Sequence, residues 1–431
     1  MATAPLDFDS LDYYTEPRLI NDPNPFFEHL RARGPVTPLA PHGVVAVTGF
    51  EEAVQVYTDL DSFSSVNAVT GPFPPVPFAL DGGDITDKIE AWRPELPMKD
   101  QIVSFDQPRH GPARSLMMRL FTPSRLKQNE QFLWKLSDGL IDRFWATGKV
   151  EIVREYGVPF AGMVIADLLG VPEEDRPGFA ERFGVGGETN LPSLDADHNS
   201  DYNPLLFLHD AFSEYLAERR SAPRQDILSE LANGKFPDGS TPDLAEVVNV
   251  ATFMFGAGQD TTARLLAGAM QVLAENAELQ ARMRSDSGSL MDDFVEEVLR
   301  LEGPVKTSHR LVKRRTVLGG VELEPGTHVA LMNGAINRDP RRFEDPNAFR
   351  LDRAKAKEHI GFGRGAHTCP GAPLARTETR VSLTRLLARM GDIRVSEEHH
   401  GPRGARLFHH EPTYILRGLV QLRLEFTPLD G

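Results

Sequence analysis

The segment Gly361-Phe362-Gly363-Arg364-Gly365-Ala366-His367-Thr368-Cys369-Pro370-Gly371 sets the only cysteine of the chain among four glycines, just ahead of a helical pattern. Glycine lets the backbone turn tightly and pass close to a flat ligand. A thiolate placed before a helix N-terminus gains from the positive end of the dipole and from nearby backbone N–H donors. The arrangement suits a permanent anionic sulfur ligand for iron. A Gly-rich turn around an inert buried thiol is the plain alternative. A zinc site built on His367 and Cys369 has too few ligands for the usual four-coordinate sphere.

A second group lies inside a long helical pattern, Phe255-Gly256-Ala257-Gly258-Gln259-Asp260-Thr261-Thr262. Each interior glycine costs a helix roughly 1 kcal/mol relative to alanine. A patch of small residues around Ala257 would let a flat macrocycle lie against the helix. Thr261 can turn its hydroxyl to a carbonyl one turn back, and the Asp260 carboxyl beside it can relay protons. A helix-packing face with a solvated acid is the competing reading. Third, Glu297 and Arg300 stand at i and i+3 on one helix face and can pair. His110 and Arg114 likewise share a face at i and i+4.

Phe362-Gly363-x-Gly365-x-His367-x-Cys369-x-Gly371 matches the haem-binding signature of cytochromes P450 at every fixed position, and the chain resembles that family from near Phe26 to around Leu424. The resemblance implies haem b, with Cys369 as proximal iron ligand and Phe362 packed beneath the haem near the sulfur. It implies contacts to the haem propionates from His110, Arg114, Arg310 and His367. Ala257 and Gly371 belong to the same haem-facing motifs. Asp260 and Thr261 become the acid–alcohol pair that delivers protons for dioxygen activation. Glu297-x-x-Arg300 becomes a buried structural pair. Three departures stand out. The segment Ser62 to Phe105 looks longer than in compact bacterial members, His110 stands where many members carry Trp, and the N-terminal anchor of microsomal members is absent.

These residues need elements to hold them. Apolar spacing predicts short helices over Pro25 to Arg33 and Phe50 to Asp59, with a strand at Val44 to Val47 between them. It predicts longer helices over Ser124 to Trp145, Val158 to Leu169, Asp243 to Glu275 and Pro373 to Met390. Strands gather from Leu311 to Val329 around Gly319, Gly320 and a Pro325-Gly326 turn. Ser62 to Phe105, rich in Pro, Gly and Asp, reads as a long structureless lid. Glu181 to Pro204 reads as a second mobile loop.

Composition bounds the class. With 62 acidic and 47 basic side chains among 431 residues, the net charge of −15 argues against nucleic acid or an anionic membrane as partner. No apolar run approaches the ~18–20 residues that span a bilayer, and a lone cysteine fits a reducing, cytoplasmic setting.

The expectation is therefore a mainly α protein with small β-sheets: the cytochrome P450 fold, a triangular prism, as one domain over residues 1–431. By resemblance it is a soluble, bacterial-type haem-thiolate monooxygenase. It takes O2, a small-to-medium apolar substrate (terpenoid, steroid, fatty acid or aromatic), and electrons from a separate ferredoxin with an NAD(P)H-dependent reductase. Phe73, Val76, Phe78 and Leu80, with Pro304-Val305, are expected to line the substrate pocket. Arg109, Arg114 and Arg364 are expected to form a basic docking patch. A P450-fold peroxygenase or nitric-oxide reductase and a haem-based sensor stay open as alternatives.

Overall fold

The long helix predicted from apolar spacing runs over Leu244–Glu275, 32 residues, or ~48 Å at 1.5 Å per residue. It begins where Asp243 and Glu246 form a capping box, the Glu246 carboxylate accepting from the Asp243 N–H at 3.3 Å. It ends where Asn276 turns extended and uses its side chain to cap the next helix, accepting from Leu279 N–H at 2.9 Å. Val247, Val248, Ala251 and Phe255 are all buried along one face. The computed structural model describes residues 7–39, 41–182 and 206–430.

Around this helix pack Val158–Leu169, Leu206–Ser221 and Ala372–Arg389. Gly258 owes its identity to that packing. A Cβ there would stand 3.1 Å from Ile165 Cδ1, so the glycine permits close helix–helix approach as well as a smooth wall. The helix Pro123–Asp142 covers the outside of Val158–Leu169 and Ala372–Arg389.

A five-stranded sheet stands beside the helices, in the order Val36–Leu39, Val44–Val47, His328–Leu331, Ser308–Val312, Phe63–Ser64. Val45 pairs with Val329 in parallel register, and Arg310 with Val329 in antiparallel register. Burial on both faces explains the continuous apolar run at 44–47. The hairpin Thr316–Leu318 to Val321–Leu323 turns on Gly319 and Gly320, whose φ angles of 56° and 82° suit a two-residue turn of the primed type. The mainly helical architecture with small sheets is as expected.

One of the two loop expectations comes out differently. Ser62 to Phe105 is not structureless: it holds the strand Phe63–Ser64, the helix Thr86–Trp92 and the 3-10 turns Arg93–Glu95 and Ile102–Ser104. Ile85, Ile89 and Trp92 gather with Val66, Leu96 and Leu311 in a small core of their own. Buried Arg93 staples the segment, donating to Ser104 O at 2.7 Å and to Glu90 Oε1 at 2.6 Å. In the other loop, Glu181 and Arg182 close the helix Arg176–Arg182, and 183–204 lie outside the described residues.

Candidate active site

The cysteine loop is shaped by its glycines. Gly363 and Gly365 adopt φ of 67° and 68°, a left-handed backbone that side chains disfavour. A Cβ on Gly365 would also sit 2.6 Å from Tyr57 O. The folded loop brings Cys369 N–H to Phe362 O at 2.9 Å. Gly371 then caps the helix Ala372–Arg389. The backbone N–H groups of Gly371 and Ala372 lie close enough to Cys369 Sγ to favour its anion. Burial raises the thiol pKa, and these donors, with Arg114 and Arg376, partly offset it.

Cys369 opens on a cavity of about 2000 Å³, part of it open to solvent. The long helix supplies another wall through Ala257, Gly258, Asp260 and Thr261. Thr261 Oγ1 donates to Ala257 O at 2.7 Å, which is the back-bond expected from the sequence. Asp260 Oδ1 accepts from Arg264 Nε at 3.0 Å, and Arg264 reaches on to Glu411. Burial and the facing Asp260 raise the Glu411 carboxyl, and Arg264 opposes them.

Four basic residues mark one edge of this cavity: His110, Arg114, Arg310 and His367. The two imidazole rings lie 4.0 Å apart between centroids. His367 Nε2 stands 3.1 Å from Ser65 Oγ. Arg114 Nη2 donates to Thr368 O at 2.5 Å, and Arg310 Nη1 to His309 O at 2.7 Å. Arg310 is 5% exposed, yet among the described residues no carboxylate forms an ion pair with it or with Arg114. Burial presses His367 to about 2, helped by Arg310, His110 and Arg114. A buried cation stays costly without a paired anion. The two propionates of a haem are anions of the required kind, the thiol supplies a soft ligand, and Phe362 and Gly371 line the same cavity. The residues present therefore fit haem.

Glu297 and Arg300 are fully buried, paired at 2.7 Å, away from the cysteine. Arg300 also donates to Asn337 O and Pro346 O, and Arg353 Nε donates to Glu297. The pair fastens the chain on either side of residue 345.

Two further expectations need correction. Phe73, Val76, Phe78 and Leu80 do not line the cavity. Phe73 packs edge-on against Tyr14 and His42, Val76 and Phe78 join the small core near Trp92, and Leu80 is exposed. Val69, Met98, Ile102 and Val103 take their place, with Pro304 and Val305 as expected. The three arginines also form no shared patch. Arg114 turns into the cavity, Arg364 is half-buried and donates to Glu358 O, and only Arg109 is exposed, paired with Asp100.

Sequence reasoning missed Glu378. It lines the cavity and accepts from Thr262 Oγ1 at 2.9 Å. Burial pushes its carboxyl up to about 8. A signal existed: Leu374, Glu378 and Val381 share one helix face at i, i+4 and i+7, and all three are buried. Arg264, one turn after Asp260, could have been found the same way.

Fold and site together define a haem-thiolate monooxygenase. The comparisons agree. A family model for cytochrome P450 matches residues 206–391. Cytochrome P450 144 of Mycobacterium tuberculosis is 32% identical over 387 residues, covering 88% of this chain and 85% of that protein. The cytochrome P450 monooxygenase PikC of Streptomyces venezuelae is 30% identical over 411 residues, 94% of this chain and 91% of its own. The solved structure of Mycobacterium marinum CYP150A6, in its substrate-free form, superposes with a TM-score of 0.92 at 50% identity, over 99% of this chain and 100% of that one. The chain belongs to the cytochrome P450 family. It is an oxidoreductase that uses haem, O2, an organic substrate and a redox partner. No helix among the described residues is long and apolar enough to cross a membrane.

Proposed function

We propose that this enzyme hydroxylates a small-to-medium apolar substrate on a haem b held by Cys369. When bound, the haem supplies oxygen activation and single-electron chemistry. The observation that carries the reading is one cavity shared by Cys369, four basic residues that form no ion pair with a carboxylate among the described residues, and the Asp260–Thr261 turn.

Each residue then has a task. The Gly371 and Ala372 N–H groups steady the sulfur anion as hydrogen-bond donors. Arg114, Arg310, His110 and His367 orient the cofactor through its propionates, where charge-assisted bonds are strongest. Ala257 leaves room for the ring face. Thr261 holds its hydroxyl at the Ala257 carbonyl and passes protons inward, and Asp260 resupplies them once it swings from Arg264. Holding Asp260 in an ion pair between deliveries limits proton leakage.

Substrate class follows from the walls. Val69, Met98, Ile102, Val305 and Leu416 present an apolar surface, which binds by burial of apolar area. Two solved structures of CYP109E1 from Bacillus megaterium, 26% and 27% identical, hold corticosterone and testosterone. A fused-ring steroid or terpenoid is thus the first choice among apolar candidates, ahead of fatty acids and aromatics. Electrons come from a separate ferredoxin and its NAD(P)H-dependent reductase. A thiolate that must stay reduced fits a cytoplasmic setting.

The test is optical titration with a panel of steroids, terpenoids, fatty acids and aromatics, followed by turnover with ferredoxin and reductase. A steroid or terpenoid is expected to shift the haem to high spin and be hydroxylated. Turnover with peroxide but never with a ferredoxin would instead make the enzyme a peroxygenase.

A further inference from the structure

Apart from the large cavity, the fold holds a second, much smaller one. Its walls come from the helix Asn24–Arg33, the end of Ser287–Leu301, residues 303–306, the helix Asn333–Ile336 and the side chains of Arg338 and Arg417. Four cations line it (Arg300, Lys306, Arg338 and Arg417) and, among the described residues, no carboxylate does. Three of the four have partners. Arg300 is paired with Glu297 at 2.7 Å, while Arg338 and Arg417 share Glu302 at 3.9 and 3.4 Å.

Lys306 is the exception. It is 4% exposed, and among the described residues its ammonium group makes no ion pair or hydrogen bond. Burial presses its pKa to about 7, helped by repulsion from Arg417 and Arg264. His410 nearby is itself pressed to about 3 by burial and by Arg417 and Lys306, so it adds no charge at neutral pH. Two arginines set against the single carboxylate of Glu302 leave the local charge positive in a confined space, which favours entry of an anion.

We propose that this cavity is a binding site for one small monovalent anion of chloride's size, with Lys306 as its principal ligand. Room decides the size: the free space between these side chains is close to what one water needs. Phosphate, sulfate and organic carboxylates are too large. Arg338 is fixed by its bonds to Gly334 O and Leu301 O, and it and Arg417 complete the positive wall.

The site bears on the enzyme beyond stability. Val305 and Asn333 line both this cavity and the large one. Lys306 N–H donates to Ile415 O at 2.9 Å, and Ile415 lines the large cavity as well. A bound anion braces that wall, so substrate affinity rises with its occupancy.

Bromide is the crystallographic probe. Holoenzyme crystals soaked in sodium bromide should show an anomalous peak between Lys306, Arg338 and Arg417. In solution, the holoenzyme should melt at least ~2 °C higher in sodium chloride than in sodium gluconate of equal ionic strength, because the larger anion cannot enter. Lys306→Met should erase that difference, and Arg417→Gln, which keeps the lysine, should reduce it. A map with no bromide at Lys306 overturns the proposal, as does a chloride advantage that survives in both variants.

Discussion

Glu378→Gln isolates the energetic effect of an acid held in the haem cavity. The carboxyl sits fully buried and accepts a hydrogen bond from Thr262 at 2.9 Å, and burial carries it from an ordinary 4.5 to about 8. The folded protein therefore holds this proton where the unfolded chain has released it. Stability from the group is fully present below pH 4.5 and is lost as pH rises towards 8. The gap of about 3.5 in pH corresponds to a total of ~5 kcal/mol at ~1.4 kcal/mol each. Of that, ~3 kcal/mol falls between pH 5 and 7.5. Glutamine keeps the acceptor for Thr262 and cannot ionise. The assay is urea unfolding of both holoenzymes across that range, followed by the haem band and by circular dichroism. The midpoint of the variant should gain on the native enzyme by roughly 1 M as pH rises, for a slope of a few kcal/mol per molar. Parallel curves for the two proteins would refute a proton held at Glu378.

Other outcomes follow from the same geometry. Thr261→Ala removes the hydroxyl bonded to Ala257 O; product formation should fall by roughly 10²-fold while NAD(P)H consumption continues, seen as peroxide release. Arg310→Met removes a buried guanidinium with no carboxylate partner among the described residues; haem loss to an acceptor globin should quicken by ~10–100-fold, since charge-assisted bonds contribute ~1.5–3 kcal/mol. Glu297→Gln leaves Arg300 and Arg353 buried against a neutral group; a loss of ~3–5 kcal/mol should appear as a collapse in the yield of folded, haem-loaded protein.

Elements with strong apolar rhythm were legible in the sequence. Val158–Leu169 and Val44–Val47 fall where the pattern placed them, and Leu244–Glu275 differs by one residue at its start. Burial on one face leaves a helical period, and burial on both leaves a continuous apolar run, as at Val44–Val47 and Val158–Leu169. The helix Thr86–Trp92 was not legible, because seven residues give too little period and the Pro, Gly and Asp around them speak for a loop. The cavity's charged rim was legible as residue types in order, since His110 and Arg114 share a helix face. Where the side chains of 73–80 would turn was not, since the small core that claims Val76 and Phe78 forms only in three dimensions. Glu378 and Lys306 share one reason for being missed. A charged residue is ordinarily solvated, and only the assembled packing shows that these two are not.

Cys369 as the thiolate ligand of haem iron is open to direct test. The most direct measurement is the absorption spectrum of the dithionite-reduced, carbon monoxide-treated enzyme, alone and as Cys369→Ser. A strongly red-shifted Soret band is expected in the native protein and should disappear in the variant. An unshifted band in the native protein, or a shifted band that survives the substitution, would contradict that ligation.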